Sequence, residues 1–264
     1  MSLTDVIEEY TTEKERSWLA LMFCLYALLW LAFKLFFKDA KGKELSLAHP
    51  IISFVATIQL TKFGFVALFD GTMMELSSDA YTRLKADHDG FSEMAQLMFA
   101  YELFNTLSSI LVPQYRTAEF LGHHMCTTLI AKLSQTHGPE FYGLFYFGIA
   151  SLSSPALCVV DFLRHGPPVL ADTFPTIKII SGAVFALSFF AVRSFAWQLV
   201  SLVFWHDTIM NLRNPPEGGG TWRPYLIMLL LSNTFLGGLQ LVWTKRIWST
   251  LMKTLSEHDK KKSN

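Results

Sequence analysis

Three ionisable side chains stand close together in an otherwise apolar stretch, Glu119-Phe-Leu-Gly-His123-His124-Met-Cys126-Thr-Thr-Leu-Ile-Ala131. Read as a helix, Glu119 and His123 are four residues apart and share a face. A carboxylate there would hold the imidazole in one tautomer and raise its basicity, as a general base requires. Adjacent helical residues point about 100° apart, so His124 turns toward another neighbour, a carbonyl or the third long helix. Cys126, three after His123, lies on a similar face. Three chemistries fit these residue types. The first is a metal site of Glu119, His123 and Cys126. Such sites want three or four converging ligands and supporting hydrogen bonds, and the chain has no HxxxH or CxxC pattern, so no metal is expected. The second is a structural cluster that hydrogen-bonds neighbouring helices, worth about 0.6–2 kcal/mol per bond. The third is proton transfer in lipid chemistry, with His123 and His124 catalytic and Glu119 orienting.

Arg193, in Phe189-Phe-Ala-Val-Arg193, is a second deep charge. Ionisable groups at membrane depth are costly and face a bundle interior or a wet cavity. Glu102 and Asn105 are its candidate ion-pair or hydrogen-bond partners. Its guanidinium also suits the phosphate of a lipid or of acyl-CoA.

These groups need helices to carry them and a wall to hide them. The chain of 264 residues is 51% hydrophobic and only 17% charged, against about a quarter charged in soluble domains. Its net formal charge is zero, so no field would recruit nucleic acid. A hydrocarbon core takes about 20 apolar residues as helix. Seven stretches approach this: Trp18–Phe37, Pro50–Phe69, Phe91–Val112, Ala118–Thr136, Phe141–Phe162, Phe174–Phe204 and Tyr225–Trp248. The third and fourth are the most polar and should be central, with apolar helices around them. The expectation is an all-α polytopic bundle of about seven spans with a polar central cavity. Pro155 should kink the fifth span, with Ser153 and Ser154 re-satisfying the freed carbonyls. The sixth stretch, about 46 Å long at 1.5 Å per residue, must tilt, break or run along the interface.

The acidic start (Asp5, Glu8, Glu9, Glu13, Glu15) is unlike the basic region of a signal peptide. Cys24, Cys126 and Cys158 sit in apolar runs and read as packing thiols. If the N-terminus is lumenal, the cytosolic side holds the larger share of Lys and Arg, notably Lys34, Lys38, Lys41, Lys43 and the terminal lysines. This orientation divides the chain into a lumenal segment 1–17, a membrane bundle 18–248 and a cytosolic basic tail 249–264. The tail ends Lys261-Lys262-Ser263-Asn264, similar to the dilysine signal by which the COPI coat retrieves endoplasmic reticulum proteins. An ordinary basic tail attracted to anionic headgroups is the other reading.

In order along the chain, Glu119-x3-His123-His124-x2-Thr127, Ser151-Leu-Ser-Ser154-Pro155, Phe189-Phe-x2-Arg193 and Asn233…Leu241-x-Trp243 resemble the TLC domain family. The resemblance covers about residues 48–248. That family includes the ceramide synthases and the ceroid-lipofuscinosis endoplasmic reticulum protein. Ceramide synthases carry a second acidic element in the next helix. Its equivalent positions here are Ala150, Ser151 and Ser154, and the Ser-Ser-Pro pattern resembles the branch of other TLC-domain-containing proteins. An aspartate common in the third span of that branch is Asn105 here. The resemblance implies a membrane bundle of the endoplasmic reticulum concerned with lipid homeostasis. Lipid would bind in a cavity around the His pair, with Arg193, Glu102, Asn105, Cys126, Ser151 and Ser154 as candidate lipid-binding residues. Two other functions fit: an acyl-CoA-dependent acyltransferase, using acyl-CoA as substrate with no bound cofactor, and a trafficking adaptor or cargo receptor working through the tail.

Overall fold

Thr12 and Glu15 close a capping box at the head of the first long helix, α1 (Glu13–Phe36): each backbone amide is held by the other's side chain, at 2.6 and 3.2 Å. The computed structural model describes residues 9–75, 79–85, 89–137, 139–214 and 222–263, and the regular elements among these are all helical. After α1 come α2 (Glu44–Phe69), α3 (Asp89–Leu111) and α4 (Ala118–His137). Then follow α5 (Glu140–His165), α6 (Pro175–Arg213) and α7 (Trp222–Ser263). Short helices at Ala80–Lys85 and Pro168–Thr173 lie in the connections.

Five helices are long and apolar enough to cross a membrane: α1, α2, α5, α6 and Arg223–Thr254 within α7. The other two expected spans, α3 and α4, have the length, 23 and 20 residues, but are too polar to qualify. They are polar because they carry Glu93, Gln96, Glu102 and Asn105, then Glu119, His123, His124 and Lys132. α1 occupies the opposite extreme. It buries only Glu15, Met22 and Tyr26, while Leu21, Leu25, Leu28 and Leu35 point outward. Such an apolar exterior suits hydrocarbon rather than water.

α2 is the packing hub, in contact with α1, α3 and α5. It starts at Glu44, ahead of the expected Pro50, so Pro50 lies inside the helix. Where α2 crosses α5, Gly64 faces Gly148. A Cβ added to either glycine would fall 2.5 Å from the other helix's backbone. Small residues are what let membrane helices approach this closely.

α5 is irregular before Pro155 rather than kinked by it. Leu144–Gly148 is a widened π turn, Ile149–Ser153 a tightened 3-10 turn, and regular helix resumes at Ser154 with Pro155 in its first turn. Proline is tolerated there because its missing N–H would be unpaired anyway. α6 is continuous over 39 residues, about 58 Å, with a π segment at Phe189–Ala196 in its middle.

Polar ties fix the two ends of the bundle. At one end Glu15, 1% exposed, accepts from Lys132 at 2.8 Å and Gln135 at 2.7 Å, joining α1 to α4. At that end too, Arg83 from the Ala80–Lys85 helix grips buried Asp207 of α6 with two bonds of 2.6 and 2.9 Å. At the other end, Lys43 donates to the Gly166 carbonyl at 3.2 Å, and Arg246 of α7 pairs with Glu119 of α4 at 2.6 Å.

Candidate functional site

α4 presents its two imidazoles to different neighbours. His124 turns to α3, where its Nδ1 touches the Glu102 carboxylate. His123 turns to α7 and meets the Trp243 ring edge-on, with centroids 5.2 Å apart. The two imidazole centroids are 4.9 Å apart. Phe120 packs on His124 at 4.1 Å. Thr127 and Thr128 bond back to the carbonyls of His123 and His124 at 2.9 and 2.7 Å, so the backbone at the pair is fully engaged.

Glu119 does not orient His123. It pairs with Arg246 through bonds of 2.6 and 3.1 Å. The helical register allowed the Glu119–His123 contact, but a guanidinium on the neighbouring helix is the stronger partner for a half-exposed carboxylate. Glu102 is the carboxylate that reaches an imidazole. Arg193 likewise departs from its expected ion pair with Glu102 or Asn105. Its Nε donates to the Ala150 carbonyl and the Ser153 hydroxyl, and its Nη2 to the Ser154 hydroxyl, each at 3.0 Å. The tightened turn explains the first bond. The Ser154 amide bonds to the Ser151 carbonyl in the tightened turn, so the Ala150 carbonyl is spared its usual i+4 amide and has a lone pair for Arg193. Ser153 and Ser154 therefore serve the guanidinium rather than the freed carbonyls, while Ser151 donates to the Phe147 carbonyl at 2.7 Å.

Around these groups lies a cavity of about 430 Å³. It is lined by Glu102, Asn105, His123, His124, Ser151, Ser154 and Arg193, with Tyr142 and Phe204 toward one end and Glu119 and Arg246 toward the other. Cys126 is half-buried and is not part of this lining. Lys261 and Lys262 lie in the last turns of α7, and their side chains lie outside the described residues.

Several lining groups were not expected to contribute. His49 of α2 is 4% exposed, stacked among Phe104, Tyr115 and Phe120. Its Nε2, the Ser53 hydroxyl, the Asn105 amide and His123 Nδ1 are buried with no close hydrogen bond. Asn105 stands near both His49 and Tyr101, and Ser53 near Tyr101, so these groups form a packed polar patch in the wall of the cavity. Sequence reading placed His49 near a span end because Pro50 looked like a helix start.

Glu102, His123 and His124 can each offer one ligand atom, all within 4.8 Å of one another. The Glu119–His123–Cys126 grouping does not form. A divalent ion at the first set would share the cavity with the Arg193 guanidinium, with one carboxylate to offset both. That charge excess is expensive at low dielectric.

A family model described as the TLC domain (TRAM, LAG1 and CLN8) matches residues 8–249. The chain belongs to the TLC domain family. Searches of curated proteins and of solved structures each found no match. The TLC match takes in α1 as well as the helices bearing the His pair and Arg193. With five apolar spanning-length helices, it makes this TLC chain a membrane protein.

Proposed function

We propose that this TLC protein is a multi-pass protein of the endoplasmic reticulum membrane, crossing seven times, with a lumenal N-terminus and a cytosolic C-terminus. It serves lipid homeostasis by binding or modifying a lipid in the cavity around His123 and His124. The observation that carries this reading is a largely apolar cavity with Glu102, His123, His124 and Arg193 gathered on its wall. An acyl chain would enter between helices, and its headgroup would meet the polar wall.

A second reading, an acyl-CoA-dependent acyltransferase, is favoured by the Glu102–His124 contact. A carboxylate on an imidazole fixes its tautomer and prepares it to accept a proton from an amine or hydroxyl nucleophile. One experiment separates the two. The protein is purified in neutral detergent, co-purified lipid is identified by mass spectrometry, and acyl transfer is assayed for wild type, His123→Ala and His124→Ala. Bound lipid without turnover supports the binding role, and turnover lost in a histidine variant supports the transferase. If neither lipid nor turnover is found, both fall, and the terminal lysines become the place to look.

A further inference from the structure

We infer that the cavity's ligand is a single-chain carboxylate, its headgroup held end-on by Arg193. This rests on the lipid-cavity reading above and narrows it to one ligand class.

The guanidinium sets the headgroup. Arginine has five N–H donors and carries its charge at any physiological pH. The one hydrogen on Nε is shared between the Ala150 carbonyl and the Ser153 hydroxyl, and one hydrogen on Nη2 goes to Ser154. Three donors remain, both on Nη1 and the second on Nη2, and one from each nitrogen forms the end of the fork. That edge takes a carboxylate through two parallel bonds. The three acceptors already in place are neutral oxygens. Among the described residues no carboxylate stands within ion-pairing distance of Arg193, because Glu102 is in contact with His124 instead. Glu102 shares the cavity and its field but makes no direct bond to the guanidinium, so an anion entering the cavity can take the donors that serines and a carbonyl leave unused.

The cavity sets the tail. Beyond Arg193 its wall is mostly apolar and includes Phe185, Phe189, Leu229 and Leu236, with the Trp197 indole among them. If each methylene takes up about the 30 Å³ that a water occupies in the liquid, the 430 Å³ cavity holds one chain of on the order of 14 carbons. A two-chain phospholipid would have to leave its second chain outside.

The test uses the full chain purified in neutral detergent, with myristate, tetradecanol and tetradecyl phosphate as probes of equal chain length. Binding is followed by native mass spectrometry and by ligand-induced thermal shift. Myristate should bind at least tenfold more tightly than tetradecanol, and more tightly than tetradecyl phosphate. Arg193→Gln should bring myristate and tetradecanol within threefold of each other. Should that variant not fold, the three-probe comparison on the wild type still decides. Equal binding of tetradecanol would overturn the charge assignment and leave the lipid cavity standing. Tighter binding of the phosphate would overturn the carboxylate assignment. Absence of binding by all three would overturn the inference, and absence of any co-purified lipid besides would overturn the cavity reading on which it rests.

Discussion

Glu102 on α3 meets His124 on α4 although 22 positions separate them in the chain. Both side chains are buried, with 6% and 10% of their surface exposed. The contact assigns the orienting role at the His pair to a residue on the neighbouring helix, and it frees Glu119 for Arg246.

This gives opposite outcomes for the two glutamates. Glu102→Ala should lower lipid binding, or turnover if there is any, by at least tenfold, because the variant removes a charge-assisted partner worth about 1.5–3 kcal/mol. Glu119→Gln should stay within threefold of wild type, since exposed ion pairs contribute about 0–1 kcal/mol. Parallel titrations of the two variants with the co-purified lipid check this. A larger loss at Glu119 would return that residue to the imidazole.

The Arg83–Asp207 pair anchors the connection between α2 and α3. Asp207 has no exposed side-chain surface, and Tyr142 adds a third hydrogen bond to its carboxylate. Hydrogen bonding to Asp207 also raises the Arg83 pKa above its ordinary value, so the pair stays charged across the working range. Removing one partner of a buried pair costs about 3–5 kcal/mol. Arg83→Ala should therefore speed backbone hydrogen exchange in residues 79–85 well before it affects α4. Uniform exchange changes across the bundle would contradict a local anchor.

What the sequence made legible follows from what one chain segment can show about itself. Length and apolarity marked α1, α2, α5, α6 and α7 as membrane-crossing helices, and the ordered motifs around His123-His124 and Arg193 pointed to the TLC domain. The 100° offset between adjacent helical residues required the two imidazoles to diverge. Spacing within a helix could not say which neighbour each would meet. The register of α4 pointed to Glu119–His123 and sent Glu102 to Arg193, whereas tertiary packing brings Glu102 to His124. His49 was hidden for a related reason: Pro50 suggests a helix start, but the helix runs back to Glu44. The π and 3-10 turns of α5 meet at Gly148, where it crosses Gly64, a contact that residues 140–165 alone do not encode.

Lys132 is the cation that offsets buried Glu15, and its amine donates to both carboxylate oxygens at 2.8 and 3.0 Å. Lys132→Ala leaves Glu15 with Gln135 and the cap, so its charge is solvated by neutral donors alone. A loss of about 3 kcal/mol is expected for stripping one partner from such a pair. Lys132→Ala with Glu15→Gln should recover most of it, because the buried charge goes with its partner. Thermal unfolding of the single and double variants in one detergent measures the coupling. Equal melting of wild type and Lys132→Ala would show that the α1–α4 tie contributes nothing.

The Gly64–Gly148 crossing makes the sharpest demand on side-chain size. A Cβ at Gly148 would lie 2.5 Å from the Gly64 Cα, and one at Gly64 would lie 2.5 Å from the Ile149 amide nitrogen. In both cases the obstacle is backbone, which cannot swing aside as a side-chain tip would. Gly148→Ala should therefore destabilise the protein by about 1–3 kcal/mol through overpacking. Gly182 supplies the control, since a Cβ there meets nothing within 4 Å. It lies within α6, where exchanging glycine for alanine stabilises a helix by about 0.5–1 kcal/mol. The two alanine variants should thus shift the melting temperature in opposite directions. If Gly148→Ala melts at or above wild type, α2 and α5 do not cross in contact.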